Sequence, residues 1–189
     1  MASVEAGKLK KGDFIQHQSG VWKVTKTEFY NPGKGSALMK TRIQNVASRK
    51  AVDFTFKSNE SIETLEVTGA TMQYLYNDGA TLFFMDNKSF EQYELSMELA
   101  GEESRFMKDG NEYYIYLNDN APIDINLGAS VTLEVTRAED AVRGNTTGNL
   151  QKEVELETGA KIMAPAFIRV GDQVSVNPET GEYRGRVNE

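Results

Sequence analysis

Hydrophobic and β-branched residues recur in short, partly alternating runs along the first third of the chain. These runs begin at Phe14 and continue at 21–29, 38–46 and 51–56, and polar or glycine-containing turns separate them. Alternation with a period of two is typical of half-buried strands, and short strands at this spacing favour a small barrel. We therefore predict an all-β domain over residues 1–65.

The middle third continues in the same way. Two β-rich runs, at 71–76 and 80–86, flank Asn77-Asp78-Gly79, which is a strong hairpin signal. Further strand-like runs lie at 87–95, 113–117 and 131–135, and one short helix is predicted at 96–100. Five strands in this length fit an OB-type barrel over residues 66–130, with the run at 131–135 as its closing strand at the boundary.

Aromatic side chains are concentrated in this middle third. An OB barrel can stack single-stranded bases on such side chains, but the acidic surplus here argues against that use. We expect core and hairpin packing for Tyr74, Tyr76, Phe83, Phe84, Tyr113, Tyr114 and Tyr116.

The last third begins with a loop rich in glycine, threonine and asparagine at 143–149. The loop lacks the Gly-Lys-Ser/Thr of a nucleotide-binding phosphate loop. Strand-like runs follow at 154–157 and 161–165, a further stretch at 169–176 leads into the tail, and together they predict a second OB-type domain over residues 131–189. The whole chain is thus predicted to be all-β, with three small β-barrel domains in series.

Composition narrows the function classes. The chain has 189 residues, no cysteine and a single histidine, His17, so disulfide and thiolate chemistry are excluded. We find no Ser/His/Asp set and no metal-ligand cluster, and therefore expect no enzyme activity, no metal and no cofactor. The N-terminus lacks the apolar segment of a signal peptide, and no apolar run approaches the ~20 residues of a membrane span. We expect a cytoplasmic monomer with no membrane partner.

Charge is distributed unevenly along the chain. The formal net charge of −7 combines a basic first third, at +5 over residues 1–65, with an acidic middle, at −9 over residues 66–130. Phosphate contacts need cations. The first third is therefore expected to face RNA, and the middle third to face away from it or toward a basic protein.

One turn stands out between the strand-like runs 21–29 and 38–46. Its sequence is Tyr30-Asn31-Pro32-Gly33-Lys34-Gly35-Ser36-Ala37. Proline fixes its own φ, and the two glycines allow the positive φ values of a tight reversal. The pattern predicts a stiff hairpin that carries Lys34 between two residues without side chains.

Three stretches of the chain resemble bacterial translation elongation factor P. In the first third the resemblance lies in Asn31 to Ala37, followed by Lys40, Arg42 and Asn45-Val46. In the middle it lies in Tyr74-Leu75-Tyr76, Asp78-Gly79, Phe84-Met85-Asp86 and Phe90-Glu91-Gln92. In the last third it lies in Gly144-Asn145-Thr146, Leu156 to Ala160, Pro165, Gly171-Asp172 and Thr180 to Arg186. The chain departs from the usual family pattern at Asn145, normally aspartate, and at Lys152-Glu153, normally Lys-Pro.

The resemblance implies an SH3/KOW-like first domain and two OB-type domains. It also implies that a modifying enzyme extends Lys34, which then reaches the peptidyl-transferase centre and promotes peptide-bond formation at consecutive prolines. The implied partners are the ribosome (rRNA and ribosomal proteins), the peptidyl-tRNA and, at the exit site, mRNA. The implied tip hairpin consists of Asn31, Pro32, Gly33, Gly35 and Ser36. The RNA-binding candidates are Lys40, Arg42, Arg49, Lys50, Arg143, Gly144, Asn145, Thr146, Tyr183, Arg184 and Arg186.

Two alternatives remain open at the level of sequence. A paralogous factor on the same fold can have a different ribosomal task, because a fold does not fix a function. A general single-strand RNA-binding protein can also be built from OB modules. Free RNA would bind such a protein at least as well as vacant ribosomes do.

Overall fold

The first sheet of the computed structural model has six antiparallel strands. The model describes residues 2–33, 35–138 and 150–187. The strands of this sheet are β1 (Ala2–Glu5), β2 (Phe14–His17), β3 (Gly20–Tyr30), β4 (Leu38–Asn45), β5 (Ala51–Lys57) and β6 (Ser61–Thr64), and a 3-10 turn spans Ala6–Lys8. Their order in the sheet is β1-β6-β2-β3-β4-β5. The longest strand, β3, pairs with β4 and so forms the hairpin that the sequence predicted.

The second sheet has five antiparallel strands in the order β11-β10-β7-β8-β9. They are β7 (Val67–Asn77), β8 (Thr81–Asp86), β9 (Gln92–Ser96), β10 (Glu112–Asn118) and β11 (Ala121–Asn126). The predicted short helix is confirmed as α1 (Met97–Ala100), where the Ser96 hydroxyl accepts the Leu99 amide hydrogen bond at 3.3 Å. A 3-10 helix (Gly101–Phe106) continues it.

The third sheet has the order β14-β13-β12-β15-β16. Its strands are β12 (Val131–Ala138), β13 (Gln151–Leu156), β14 (Lys161–Pro165), β15 (Gln173–Val176) and β16 (Tyr183–Arg186). The prediction that the run at 131–135 closes the second barrel is wrong, because β12 pairs with β13 and β15. The strand that closes the second sheet is β11, which contains Pro122. Proline is tolerated there because β11 lies at the edge of its sheet.

Among the described residues, two separate hydrophobic cores stabilise these sheets. The first sheet encloses its own cluster around Ile15, Val24 and Ile43. The second and third sheets share one continuous cluster, in which Phe84 and Leu133 are almost completely buried. The all-β prediction is confirmed, and the second and third sheets form one apolar body beside the first.

The middle aromatic residues divide between the core and the surface. Tyr74, Phe84 and Tyr113 are buried in the core, as predicted. Tyr76 stacks on Phe83 at 4.7 Å between ring centroids on the β7–β8 hairpin, and Tyr76 is half exposed. The predicted packing is thus confirmed for these two groups, in the core and on the hairpin.

Tyr114 and Tyr116 lie outside the core. The Tyr114 ring covers Gly69 on the neighbouring strand so closely that a Cβ there would lie 2.4 Å from ring carbons. The absence of a side chain at Gly69 on β7 therefore leaves room for the Tyr114 ring of the paired strand β10. Tyr116 instead faces the first sheet, where its ring centroid lies 5.3 Å from that of Phe14.

A buried carboxylate joins the first sheet to the second. A bulge at Ile123 shifts the β10–β11 register, so Asp124 lies opposite Tyr116 on the face away from the core. On the first sheet, Phe14 and Lys23 lie opposite each other across β2 and β3. The two cross-strand pairs meet: Lys23 Nζ donates to Asp124 Oδ2 at 2.8 Å and lies 4.1 Å from the Tyr116 ring centroid.

Arg49 completes this contact, which we call the Asp124 junction (Phe14, Lys23, Arg49, Tyr116 and Asp124). Its Nη1 donates to Asp124 Oδ1 at 2.6 Å, and its Nη2 donates to the Leu99 carbonyl. Gly101 leaves space for it, because a Cβ there would lie 3.1 Å from Arg49 Cγ. Asp124 is completely buried, so the first sheet meets the second through charge as well as through aromatic contact.

Glu103 lies beside the junction. Burial raises the pKa of its carboxyl above the usual range; Arg49 opposes this shift, while the negative charges of Asp124 and Glu179 add to it. Ionised Glu103 is therefore less favourable in the folded protein than in the unfolded chain.

We expect Phe106→Ala to destabilise the protein by about 3–5 kcal/mol, because it leaves a cavity in a close-packed core. Phe106 is fully buried, and its ring tip lies 3.6 Å from where a Cβ on Gly181 of the third sheet's last hairpin would be. Urea unfolding followed by fluorescence measures the loss. Phe90→Ala is the matched control at an exposed ring and should change stability by within about 0.5 kcal/mol. Equal effects of the two substitutions would contradict the burial of Phe106 in this core.

Glu103→Gln should stabilise the protein more at pH 7 than at pH 4. With its pKa raised, folded Glu103 keeps a proton that the unfolded chain loses, so wild-type stability falls as pH rises from about 4.3 to the raised value. Glutamine does not titrate and escapes that loss. Thermal unfolding across pH measures the difference, with the exposed Glu102→Gln as control. A pH-independent difference between Glu103→Gln and wild type would contradict the raised pKa.

Candidate functional site

The β3–β4 hairpin carries the predicted tip, which we define as residues 31–37. The last pair of the ladder is Tyr30 with Leu38. Toward this end the strand turns into solvent, and Phe29 and Tyr30 are about half exposed. An exposed pair of aromatic residues so close to a turn gives the hairpin an apolar surface available to a partner.

Local hydrogen bonding and backbone conformation stiffen the tip. The Gly33 amide donates to Asn31 Oδ1 at 3.2 Å, which is the geometry of an Asx turn. Gly33 and Gly35 have φ values of 76° and 100°, which the absence of a Cβ permits. Asn31, Pro32, Gly33, Gly35 and Ser36 are all exposed, whereas Lys34 lies outside the described residues.

Lys40 lies on the hairpin just behind the tip. Its Nζ donates to Glu28 Oε1 at 3.0 Å and lies 4.8 Å from the Tyr30 ring centroid. The hydrogen bond and charge of Lys40 lower the pKa of the Glu28 carboxyl below its usual range. The Lys40 ammonium is thus held between a carboxylate and a ring face while it stays half exposed.

A concave surface at the meeting of the three sheets is lined by more cations than carboxylates. We call it the basic cleft, and we define it by the cations that line it: Lys11, Lys23, Lys26, Arg42, Arg49 and Arg184. Two acidic residues, Glu103 and Glu179, line it as well. Lysine and arginine offer N–H donors and charge to phosphate oxygens, and arginine can do so with two parallel bonds.

Lys26 and Arg42 extend this positive surface toward the tip. They lie directly opposite each other on β3 and β4, and both are exposed. A second depression on the hairpin is lined by Lys26, Arg42 and Lys40, and also by the carboxylates of Glu28 and Asp53. Like charges at opposed positions destabilise a sheet, and the exposed Asp53, 3.7 Å from Arg42, is a weak counter-charge. This arrangement suits an anionic partner.

The structure brings some of the sequence-derived candidates together and separates others. Arg42 and Arg184 line the basic cleft, and Arg49 lines it from the Asp124 junction. Lys50 is exposed beside β5, while Tyr183 packs against the shared core and Arg186 Nη1 lies 3.6 Å from Asp172 Oδ1. The remaining candidates, Arg143, Gly144, Asn145 and Thr146, lie outside the described residues.

Four residues of this region were not identified from the sequence: Lys11, Lys23, Lys26 and Asp124. The lysines belong to the basic first third, but charge alone did not show which of them share a face. Asp124 carried a clearer signal, because a single acid in Pro122-Ile123-Asp124-Ile125 interrupts an apolar run. A lone acid in such a run indicates a carboxylate with a buried partner.

The remaining candidate chemistry lies apart from this surface. His17 packs among aromatic rings, 4.5 Å from Phe54 between centroids, and its burial lowers the pKa of the imidazole. Within the described residues no cluster of three or more His, Cys, Asp or Glu side chains is placed to hold a metal ion. The helices in the described part of the chain are all too short to cross a bilayer.

Comparison with known proteins covers nearly the whole chain. Residues 5–62 match the elongation factor P KOW-like domain, residues 67–125 the elongation factor P OB domain, and residues 131–186 the elongation factor P C-terminal domain. The chain is 38% identical over 180 residues to elongation factor P of Mycobacteroides abscessus, a match that covers 95% of this chain and 96% of that protein. Elongation factor P of Acidithiobacillus ferrooxidans is 34% identical over 183 residues, covering 97% and 98%.

A solved structure has a similar fold. Translation initiation factor 5A from Methanococcus jannaschii aligns with a TM-score of 0.52 at 19% identity, over 66% of this chain and 92% of that one. At this identity the likeness concerns the fold alone. The three family matches, the identity to the bacterial relatives and the fold lead to one conclusion: the chain belongs to the elongation factor P family of translation elongation factors.

Proposed function

We propose that this factor binds the ribosome beside the peptidyl-tRNA and promotes peptide-bond formation at consecutive prolines, with Lys34 reaching the peptidyl-transferase centre. The observation that carries the proposal is the series of cations that runs from the basic cleft along Lys26 and Arg42 to Lys40, just behind the exposed tip. A ribosomal site lined with RNA phosphates would neutralise the cations that repel each other along the hairpin.

Orientation is the physical basis of the proposed activity. Proline is conformationally rigid and a poor nucleophile, so bond formation depends strongly on how the reactants are held. Correct positioning can contribute up to about 7–11 kcal/mol in favourable systems. A stiff tip against the CCA end of the tRNA would supply such positioning, and Lys34 would contribute charge and hydrogen-bond donors. On this proposal the factor is not itself an enzyme and needs no cofactor or metal.

The tip is also suited to modification. Pro32, Gly33, Gly35 and Ser36 are all exposed on either side of Lys34 in the sequence. A modifying enzyme can approach such a turn without unfolding any strand. We propose that it extends Lys34, and intact mass spectrometry of the protein from its native cells tests this.

The other proposed partners follow from charge and position. The second third of the chain has a net charge of −9, which suits basic ribosomal proteins, whereas the basic cleft suits rRNA and the peptidyl-tRNA. Arg143, Gly144, Asn145 and Thr146 are proposed to lie near mRNA at the exit site. We propose that the factor acts as a cytoplasmic monomer without a membrane partner.

General binding of single-stranded RNA has one observation in its favour. Tyr76 is half exposed and stacks on Phe83, so one aromatic face is available for a base. The stack lies in the acidic second sheet, beside Asp78, and neither ring lines the basic cleft. Charge therefore disfavours RNA at this position.

Lys34→Ala should leave the fold intact and remove most of the activity. The described residues on both sides are exposed, so we expect a stability change within about 0.5 kcal/mol. Thermal melts and a polyproline reporter in a reconstituted translation system measure both effects. Lys88→Ala makes the same chemical change at an exposed turn of the second sheet and should keep full activity. Equal reporter output from the two variants would contradict a central role of Lys34, and a paralogous task would then be favoured.

Charge reversal in the basic cleft should weaken ribosome binding and its dependence on salt. In the triple variant Lys26→Glu, Arg42→Glu and Arg184→Glu, each lost phosphate contact should reduce the slope of log K against log salt by about 0.7–0.9. Pelleting with vacant ribosomes across a salt series measures this slope.

The matched control for the cleft reverses Lys57, Lys88 and Arg169, which are exposed positions outside the cleft. It carries the same change in net charge. The control should bind with nearly the wild-type slope. Wild-type binding by the cleft variant, or tighter binding of the wild type to free single-stranded RNA than to ribosomes, would contradict the proposal.

A further inference from the structure

We propose that Asp124 is a positioning residue that fixes the direction of the β3–β4 hairpin relative to the rest of the factor. The second and third sheets share one hydrophobic core, whereas the first sheet has its own. The first sheet is joined to this larger body through the Asp124 junction. Its orientation therefore depends on a small set of charged and aromatic contacts. The inference rests on the proposed function only for its consequence at the tip.

Asp124 is unusual among the described residues because it is a charged side chain with no exposed surface. Taking a carboxylate out of water is costly unless opposite charges and hydrogen bonds compensate. Here both oxygens are used: Oδ2 accepts from Lys23 and Oδ1 from Arg49, at 2.8 and 2.6 Å. Both cations come from the first sheet, so the carboxylate is compensated only when that sheet lies in this one place.

Arg49 restricts the orientation further. Its guanidinium bridges Asp124 on β11 and the Leu99 carbonyl on α1, which are two separate points of the second sheet's domain. Lys23 adds a third point, since its ammonium also lies over the Tyr116 ring. Three such contacts fix the angle between the first sheet and the second sheet's domain, whereas a single contact would let the first sheet rotate about it.

The Arg49 side chain also shows that this geometry is maintained against a local cost. Its Nε is buried and has no hydrogen-bond partner within the described part of the chain. A buried donor without a partner is destabilising by itself. The hydrogen bonds of Nη1 to Asp124 and of Nη2 to the Leu99 carbonyl account for the buried position of the Arg49 guanidinium.

A change at the junction would be enlarged at the tip. Lys23 and Tyr30 lie on the same strand, seven residues apart, which is about 23 Å at the usual rise of about 3.3 Å per residue. A rotation of about 10° at Lys23 would thus displace the end of the strand by about 4 Å. Positional errors of about 1 Å can reduce catalysis about 100-fold in enzymes.

Asp124→Asn is the direct test, because it keeps the shape of the side chain and removes its charge. Lys23 and Arg49 would then repel each other across a neutral amide, and the first sheet should sample several orientations. Asp119→Asn is the matched control, since it makes the same change at an exposed turn of the second sheet, between β10 and β11. The chain has no cysteine, so spin labels can be placed at single introduced cysteines.

Pulsed electron paramagnetic resonance, with spin labels at Thr55→Cys and Glu94→Cys, measures the distance between the first and second sheets. Both positions are exposed strand residues. We expect one narrow distribution for wild type and Asp119→Asn, and a broad or shifted one for Asp124→Asn. A second pair, at Glu94→Cys and Met163→Cys, spans the shared core and should stay narrow in all variants. An unchanged first pair in folded Asp124→Asn would overturn the inference.

The same variants separate this inference from the proposed function. If the competent orientation falls to about a tenth of the population, the half-saturating concentration of the factor should rise about tenfold. The maximal rate of proline–proline bond formation at saturating factor should change less. If wild-type factor gave no stimulation, the proposed function would fail while the distance measurement would still decide the role of Asp124.

Lys23→Met keeps the test decisive if Asp124→Asn does not fold. It removes one cation, leaves the Arg49–Asp124 pair intact and keeps an apolar stem beside Phe14 and Tyr116. A broadened distance for the first label pair supports the inference. A wild-type distribution for this variant would overturn the inference, whatever its half-saturation, because Lys23 also lines the basic cleft.

Discussion

The burial of one carboxylate determines how the first sheet is placed against the second. Asp124 lies on the outer face of the second sheet, where its charge is compatible with folding only if cations from another part of the chain cover it. Lys23 and Arg49 supply those cations, and both belong to the first sheet. The hairpin that carries the tip is an extension of β3, the strand that holds Lys23. The electrostatic requirement of one side chain therefore sets the direction of the end of the hairpin.

The contact between the second and third sheets differs in its chemistry from the contact between the first and second sheets. The second and third sheets meet through a shared apolar cluster, helped at its edge by the Lys108–Glu157 ion pair at 2.7 Å. Apolar packing is strong but tolerant of small rotations, because it is non-directional. The junction of the first and second sheets consists of directional hydrogen bonds to charged groups, which are roughly twice as strong as neutral ones. The directional kind restricts the orientation of the first sheet more than apolar packing would.

Strand periodicity and turn residues were enough to predict the all-β class, the long hairpin and the short helix after Ser96. They failed at β11, because Pro122 and Asp124 disguise a strand that tertiary pairing with β10 imposes at the sheet edge. Asp124 also shows why the candidate site was only partly predicted. Arg42 and Arg184 line a basic cleft that could not be predicted from the sequence, because their position on one surface depends on contacts between sheets. Local patterns report the face of a strand, whereas the meeting of three sheets depends on residues about 100 positions apart, such as Lys23 and Asp124.

The opposed Lys26 and Arg42 link stability to function in this fold. A sheet is more stable when opposed charges differ in sign, and the neighbouring Glu28–Lys40 pair follows that rule. Lys26 and Arg42 break it at the position where the basic cleft continues onto the hairpin. The exposed Asp53, opposite Arg42 on β5, compensates this repulsion only weakly, and local rules are broken most often at functional sites. The junction orients the hairpin, the like-charged pair gives it affinity for anions, and the two glycines keep its end free of side chains around Lys34. Each of these features has a local cost, and together they indicate a surface shaped for a large, negatively charged partner.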